Sequence, residues 1–375
     1  MTLICLDYAV RPYGIYGITR AIKKRFELFD KEGIDYQLWT SIRDLDYLKV
    51  VGKEAVLSLY ESYGIRPDCV RFPGIDMDYK GDINDLYNHY IDSSDTVLVE
   101  RLDSPENILF TKEHDFHLGR LLHQEHLEIM STEENIKVSE HIYNDKLDFL
   151  ILVGDGQIDY IREPLKSKTI HIPVVSCAQV ERCVKVPRPF GTIRMLTVSR
   201  LSEEKNILSL LKVMAALKFK QITKVHLDIY GSGDDFEKLK SIARVNRIEE
   251  IVNFKGYQSV IPYGDYDVYL TSSMTEAFGT SLYEALVNGL ILIGLDVRYA
   301  NQNYIHNGKN GWLVDPFNAV QYVNYIEKLL VFSENDWERF SNYSEKLAEM
   351  YQSGDIIVKW KDILEKKINK FCKEE

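Results

Sequence analysis

Long apolar runs are missing from this chain. Leu147-Asp148-Phe149-Leu150-Ile151-Leu152-Val153 is among the longest, and it is strand-length and interrupted by a carboxylate, far short of the ~20 residues that a membrane-spanning helix needs. The N-terminal Met1-Thr2-Leu3-Ile4-Cys5-Leu6-Asp7 has neither a basic segment nor a cleavage site, and reads as a first strand. Cysteine is sparse and unpaired in pattern. Cys5, Cys69, Cys177, Cys183 and Cys372 include no C-x-x-C pair, which argues against a disulfide or zinc framework and for a reducing, cytoplasmic compartment. His114-x-x-His117 and His123-x-x-His126 lack cysteine or carboxylate partners at structural-zinc spacing, so no metal site is expected. Positive charge is also in deficit. A net charge of −11 is the wrong sign for a general binder of nucleic acid or anionic membrane, although it leaves room for a local basic cleft. No internal repeat or low-complexity segment is present.

What is present is an ordinary globular composition, 45% hydrophobic and 27% charged, in 375 residues, which predicts two domains each with its own core. The first half alternates strand-like and helix-like segments. Leu3–Leu6, Tyr36–Trp39, Thr96–Glu100 and Phe149–Val153 read as strands, with a helix over about Thr19–Lys31 and a polar, helix-rich stretch between the last two strands. Val186-Pro187-Arg188-Pro189-Phe190-Gly191 breaks the rhythm and reads as a linker. A second series follows, with strands at Arg194–Ser199, Val225–Tyr230, Ile251–Phe254, Val268–Leu270 and Leu290–Leu295 and helices near 206–218 and 235–245. The expected architecture is α/β, with two Rossmann-like doubly wound domains and a ligand cleft at the C-terminal strand ends. The first domain is expected over 1–188 and the second over 189–354. The amphipathic region from Trp337 to Lys370 reads as packing surface, its last part (about 355–375) returning to the first domain.

The stretch from Thr271 to Leu286 carries the most chemistry. It follows the apolar strand Val268–Leu270, passes Glu276, Phe278 and Gly279, and enters a helix through Thr280-Ser281. A helix N-terminus approached through glycine is an anion site, because its free N–H groups and its dipole both favour negative charge. Glu276 falls just before that helix and Glu284 within its first turns. Ser281-x-x-Glu284 is equally a capping-box pattern, in which the glutamate serves only its own helix. Arg200 and Lys205 follow the first strand of the second domain, where they either grip phosphate oxygens or pair with Glu203 and Glu204.

These residues resemble the retaining glycosyltransferases of family 4, which have the GT-B architecture. The matching pieces are Val198-Ser199-Arg200 with Lys205, Tyr230-Gly231-Ser232-Gly233, Asn253-Phe254-Lys255-Gly256, Glu276-x7-Glu284 and Asn307-Gly308-Lys309-Asn310-Gly311-Trp312. Gly17-Ile18-Thr19-Arg20 with Arg25, and Asp296-Val297-Arg298-Tyr299, resemble the bacterial branch acting on wall teichoic acids (poly(glycerol-phosphate) alpha-glucosyltransferases) and serine-rich adhesins. The resemblance implies a UDP-sugar donor, a polymer or protein acceptor, no metal cofactor and a homo- or hetero-oligomer. It implies that Glu284 binds the donor ribose, that Glu276 holds the hydroxyls of the transferred sugar, and that Arg200 and Lys205 neutralise the leaving diphosphate. Gly14, Gly17, Gly231, Tyr257, Phe278, Gly279, Thr280 and Ser281 would contact the donor. His123 would lie near the sugar, a place His126 could equally fill, unless both are surface histidines. Gly154-Asp155-Gly156-Gln157 is either an acceptor-side loop or a simple turn. A non-catalytic partner binding a glycosylated chain is the competing expectation. A phosphorylase or epimerase has no supporting motif.

Overall fold

A computed structural model describes residues 2–8, 17–41, 45–62, 64–77, 83–100, 114–122, 147–154, 158, 161, 165–173, 180–187, 191–276, 278–351 and 355–365. The chain divides into two compact units, Met1–Ser176 with Gly354–Glu375, and Cys177–Ser353.

In the first unit β1 (Leu3–Tyr8), β2 (Tyr36–Thr40), β3 (Val70–Arg71), β4 (Thr96–Val99), β5 (His117–Leu122), β6 (Phe149–Leu152) and β7 (Thr169–His171) form a parallel sheet in the order β3-β2-β1-β4-β5-β6-β7. β4 and β6 are buried along their whole length, as expected of strands covered on both faces. The expected helix-rich stretch between β4 and β6 is corrected at β5. That strand, His-Leu-Gly-Arg-Leu-Leu, sits inside the sheet with Arg120 only 1% exposed. A histidine, a glycine and an arginine in six residues hide a central strand from any reading based on apolar runs. The helix Gly17–Glu32 buries Phe26 and Phe29, the latter edge-on against Trp360 of the Asp355–Leu364 helix in the same unit.

In the second unit β8 (Ile193–Val198), β9 (Val225–Tyr230), β10 (Val252–Gly256), β11 (Val268–Thr271), β12 (Ile291–Leu295) and β13 (Gly311–Val314) are parallel in the order β10-β9-β8-β11-β12-β13. Strand order reverses between β8 and β11, which pair Met195 with Val268 and Leu196 with Tyr269. Loops leaving the two strands therefore diverge and open a crevice at their C-terminal ends. Leucine, isoleucine and valine from these strands close a core with the Ile207–Phe219 helix (Leu210, Met214, Leu217) and the Val320–Leu329 helix (Tyr322, Ile326).

The proline segment is not a free linker up to Pro187. Cys183 N–H donates to Asn288 Oδ1 at 2.7 Å, Lys185 Nζ to Ser341 Oγ at 2.6 Å, and Val186 N–H to the Gly264 carbonyl at 2.8 Å. Proline denies this strip a regular ladder, but these three donors find partners on the second unit, which begins at Cys177. The helical region expected from Trp337 onward consists of two helices, Glu334–Tyr351 in the second unit and, within the expected returning part, Asp355–Leu364 in the first. No helix among the described residues is long and apolar enough to cross a membrane.

Candidate active site

The loops after β8 and β11 meet at the reversal point. Ser272 Oγ donates to the Lys205 carbonyl at 2.9 Å, and Met274 N–H to the Glu204 carbonyl at 3.0 Å. Lys205 Nζ reaches Glu276 Oε1 at 2.6 Å, with the two side chains 18% and 22% exposed. Two backbone ties and one ion pair thus bring together residues 71 apart in sequence. Glu276 is anchored further: its N–H donates to the Arg298 carbonyl at 3.2 Å, while its own carbonyl accepts from Tyr299 and Ala300 N–H at 2.7 and 3.0 Å. Val198, Ser199, Lys205, Glu276, Gly279 and Ser281 line a small pocket at this junction.

The helix Thr280–Val287 starts beside it. Gly279 is left-handed at φ 62°, ψ 62°, and the first intrahelical bond joins Tyr283 N–H to its carbonyl at 2.9 Å. The N–H groups of Thr280, Ser281 and Leu282 precede that bond and form the positive end of the helix. The capping box is not formed. Ser281 Oγ donates to the Val198 carbonyl at 2.9 Å and shares a 2.7 Å bond with Tyr269 Oη, so its hydroxyl pins the helix to the end of β8 instead. Burial pushes the Tyr269 phenol well above its usual range, against the opposing pull of the Ser281 bond, and the group stays a neutral hydrogen-bonding post.

Glu284, unlike Glu276, is not among the residues lining that pocket. It is 5% exposed, and Oε2 accepts the Tyr263 hydroxyl at 2.7 Å. Arg200 sits at the open side and pairs with Glu204 at 2.8 Å, both side chains more than 40% exposed. This is the pairing that its local sequence offers, and exposed pairs of this kind exchange partners at little cost. Burial pushes Glu204 up, yet the Ser202 hydrogen bond, its own N–H, Arg200 and Lys205 together hold its carboxyl below the ordinary range.

Several expected donor contacts have other employment. Gly231, at φ 128°, lets the β8 and β9 loops touch, since a Cβ there would lie 1.8 Å from the Ser199 carbonyl oxygen. The Phe278 ring is buried among Tyr283 and Tyr304, leaving only its backbone near the helix entrance. Tyr257, 42% exposed, follows the end of β10. Gly17 opens the first helix of the other unit. Gly14, His123, His126 and Asp155-Gly156-Gln157 lie outside the described residues.

Sequence reasoning missed Tyr263 and Tyr269 as site supports. Their signal was the spacing Tyr263-x-x-Tyr266-x-x-Tyr269 running into an apolar strand, because a phenol entering a core brings a hydroxyl that needs a partner.

Residues 185–351 match the family Glycosyl transferases group 1. The UDP-N-acetylglucosamine--peptide N-acetylglucosaminyltransferase GtfA subunit of Streptococcus pneumoniae is 31% identical over 294 residues, covering 73% of this chain and 58% of that protein. The poly(glycerol-phosphate) alpha-glucosyltransferase of Bacillus subtilis is 27% identical over 253 residues, 66% of this chain and 36% of the relative. The chain thus spans little more than half, or less, of the length of these curated relatives. The crystal structure of the pneumococcal O-GlcNAc transferase GtfA with UDP and GlcNAc is similar with a TM-score of 0.77 at 20% identity, over 98% of this chain and 99% of that one. Residues 185–351 thus match the group 1 glycosyl transferases, within a chain whose two Rossmann-like units have the GT-B fold.

Proposed function

We propose that this chain transfers a hexose or N-acetylhexosamine from a UDP-sugar to a protein or polymer acceptor, with retention of anomeric configuration. The observation that carries the reading is the Lys205–Glu276 pair beside the Gly279–Ser281 helix entrance, at the β8/β11 reversal. A cation and a helix N-terminus at one point stabilise charge developing on a departing diphosphate. Arg200, paired with Glu204 where both side chains are exposed, adds a second cation by turning from that carboxylate to the phosphates. In this reading Glu276 accepts hydrogen bonds from the sugar hydroxyls and Glu284 from the ribose. The acceptor hydroxyl attacks the anomeric carbon on the face that UDP leaves, and its proton passes to the leaving phosphate oxygen. Two side-chain cations and backbone donors supply the neutralisation without a metal. The names of the relatives, which specify GlcNAc on peptide and glucose on poly(glycerol phosphate), support both acceptor classes. The word "subunit" in the first supports a partner chain.

The test is a panel of UDP, UDP-glucose, UDP-N-acetylglucosamine and GDP-sugars, read by thermal shift, donor hydrolysis and transfer, with and without EDTA. Stabilisation by UDP and EDTA-resistant turnover of one UDP-sugar are expected. Binding of a glycosylated acceptor with no donor binding or turnover would instead identify a non-catalytic partner.

A further inference from the structure

Glu284 is held from outside its helix. Tyr263 lies in the short turn Tyr263–Asp265 before β11, is 4% exposed, and donates to Glu284 Oε2 at 2.7 Å. The Ser281 carbonyl is 3.3 Å from the same hydroxyl. A phenol has one proton, and the shorter, charge-assisted bond to the carboxylate takes it.

The mount under Tyr263 is rigid. Its N–H donates to the Ile261 carbonyl at 2.9 Å, and the Gly264 carbonyl accepts Val186 N–H at 2.8 Å. A Cβ on Gly264 would lie 2.1 Å from the Val184 carbonyl oxygen, so the 183–186 strip is pressed directly onto this turn. The helix beneath Glu284 is fastened too, because Asn288 Nδ2 donates to the Glu284 carbonyl at 2.8 Å. A glutamate on a helix has several staggered side-chain arrangements of similar energy. Here a fixed external donor selects one of them.

We propose, resting on the reading of Glu284 as the ribose ligand, that Tyr263 is a positioning residue for nucleoside recognition. Its hydroxyl engages Oε2 and holds the carboxylate in one arrangement, the one in which it meets the ribose hydroxyls of the donor. The chain therefore distinguishes ribonucleotide from 2′-deoxyribonucleotide donors through Tyr263 as well as through Glu284.

The test is calorimetric binding of UDP and 2′-deoxy-UDP to the full chain, its Tyr263→Phe and Glu284→Gln variants and the double variant, with Tm recorded for each. The expected wild-type preference for UDP is about ten- to a hundred-fold, the scale of one hydrogen bond to a charged group. Tyr263→Phe should abolish most of that preference by weakening UDP and sparing 2′-deoxy-UDP, and should change nothing further in the Glu284→Gln background. In turnover assays the donor KM should rise more than kcat falls. A Tyr263→Phe variant that keeps the full preference, whatever its Tm, refutes the proposal and leaves the bond purely structural. Wild-type protein that turns over a UDP-sugar without ribose preference also refutes it, while the donor reading stands. Wild-type protein that binds no UDP removes both.

Discussion

Replacing Lys205 by Ala separates a structural ion pair from a catalytic cation. Nζ and Oε1 lie 2.6 Å apart, with side chains 18% and 22% exposed, between the fully exposed and fully buried regimes. Exposed pairs contribute about 0.2–1 kcal/mol and hydrogen bonds to charged groups about 1.5–3 kcal/mol. A coupling of about 1–2 kcal/mol follows, and in a domain of this size each kcal/mol moves Tm by roughly 2–4 °C. Lys205→Ala should therefore lower Tm by only a few degrees. Removing a preorganised donor from a site of developing charge costs roughly 100- to 1,000-fold in kcat. The assay is steady-state transfer at saturating donor and acceptor, with Tm measured on the same preparations and Glu276→Gln completing a double-mutant cycle. In stability the cycle should return the ~1–2 kcal/mol coupling. In kcat the two losses should fall well short of adding, because both side chains serve one reacting group. A Lys205→Ala enzyme within about three-fold of wild-type kcat, a change of under ~1 kcal/mol in the barrier, would refute the assignment of Lys205 to the leaving group.

Two further outcomes follow from packing and burial. Gly231→Ala places a methyl group 1.8 Å from the Ser199 carbonyl at φ 128°; denaturant unfolding should show a loss of about 3 kcal/mol or more, and a near-neutral result would contradict the close approach of the β8 and β9 loops. Burial first, then the Lys309 charge, holds the His306 imidazole below its usual value of 6.5, and its Nδ1 lies 2.8 Å from Tyr343 Oη. The unfolded chain then binds more protons between the folded value and 6.5, so stability is complete above 6.5 and falls on acidification through that window. His306→Gln should flatten the Tm–pH slope below pH ~6.5 relative to wild type, and an unchanged slope would count against the assignment.

Much of the second unit was legible in the chain. Apolar runs such as Ile291–Leu295, glycine at turns, and the helical period after Asn206 are local signals, and the strands and helices they imply are present to within a residue or two. The position of Glu276 and of the Gly279 helix entrance was equally local, since a strand, a loop and a helix N-terminus follow one another within twenty residues. The first unit was less legible where β5 carries His117, Gly119 and Arg120 in a central strand.

By itself, then, the sequence determined an α/β chain with an anion-attracting helix entrance after an apolar strand, because periodicity, glycine and helix termini act over a few neighbouring residues. Only the tertiary structure decided which groups those residues meet. Ser281 turns to Val198 and Tyr269 rather than to its own helix, Lys205 finds Glu276, and Tyr263 takes hold of Glu284. The Val198 and Glu276 contacts are made by strand order, which brings the ends of β8 and β11 side by side, and the Tyr269 and Tyr263 contacts by the packing of the Thr280–Val287 helix back along β11; no local pattern encodes either juxtaposition.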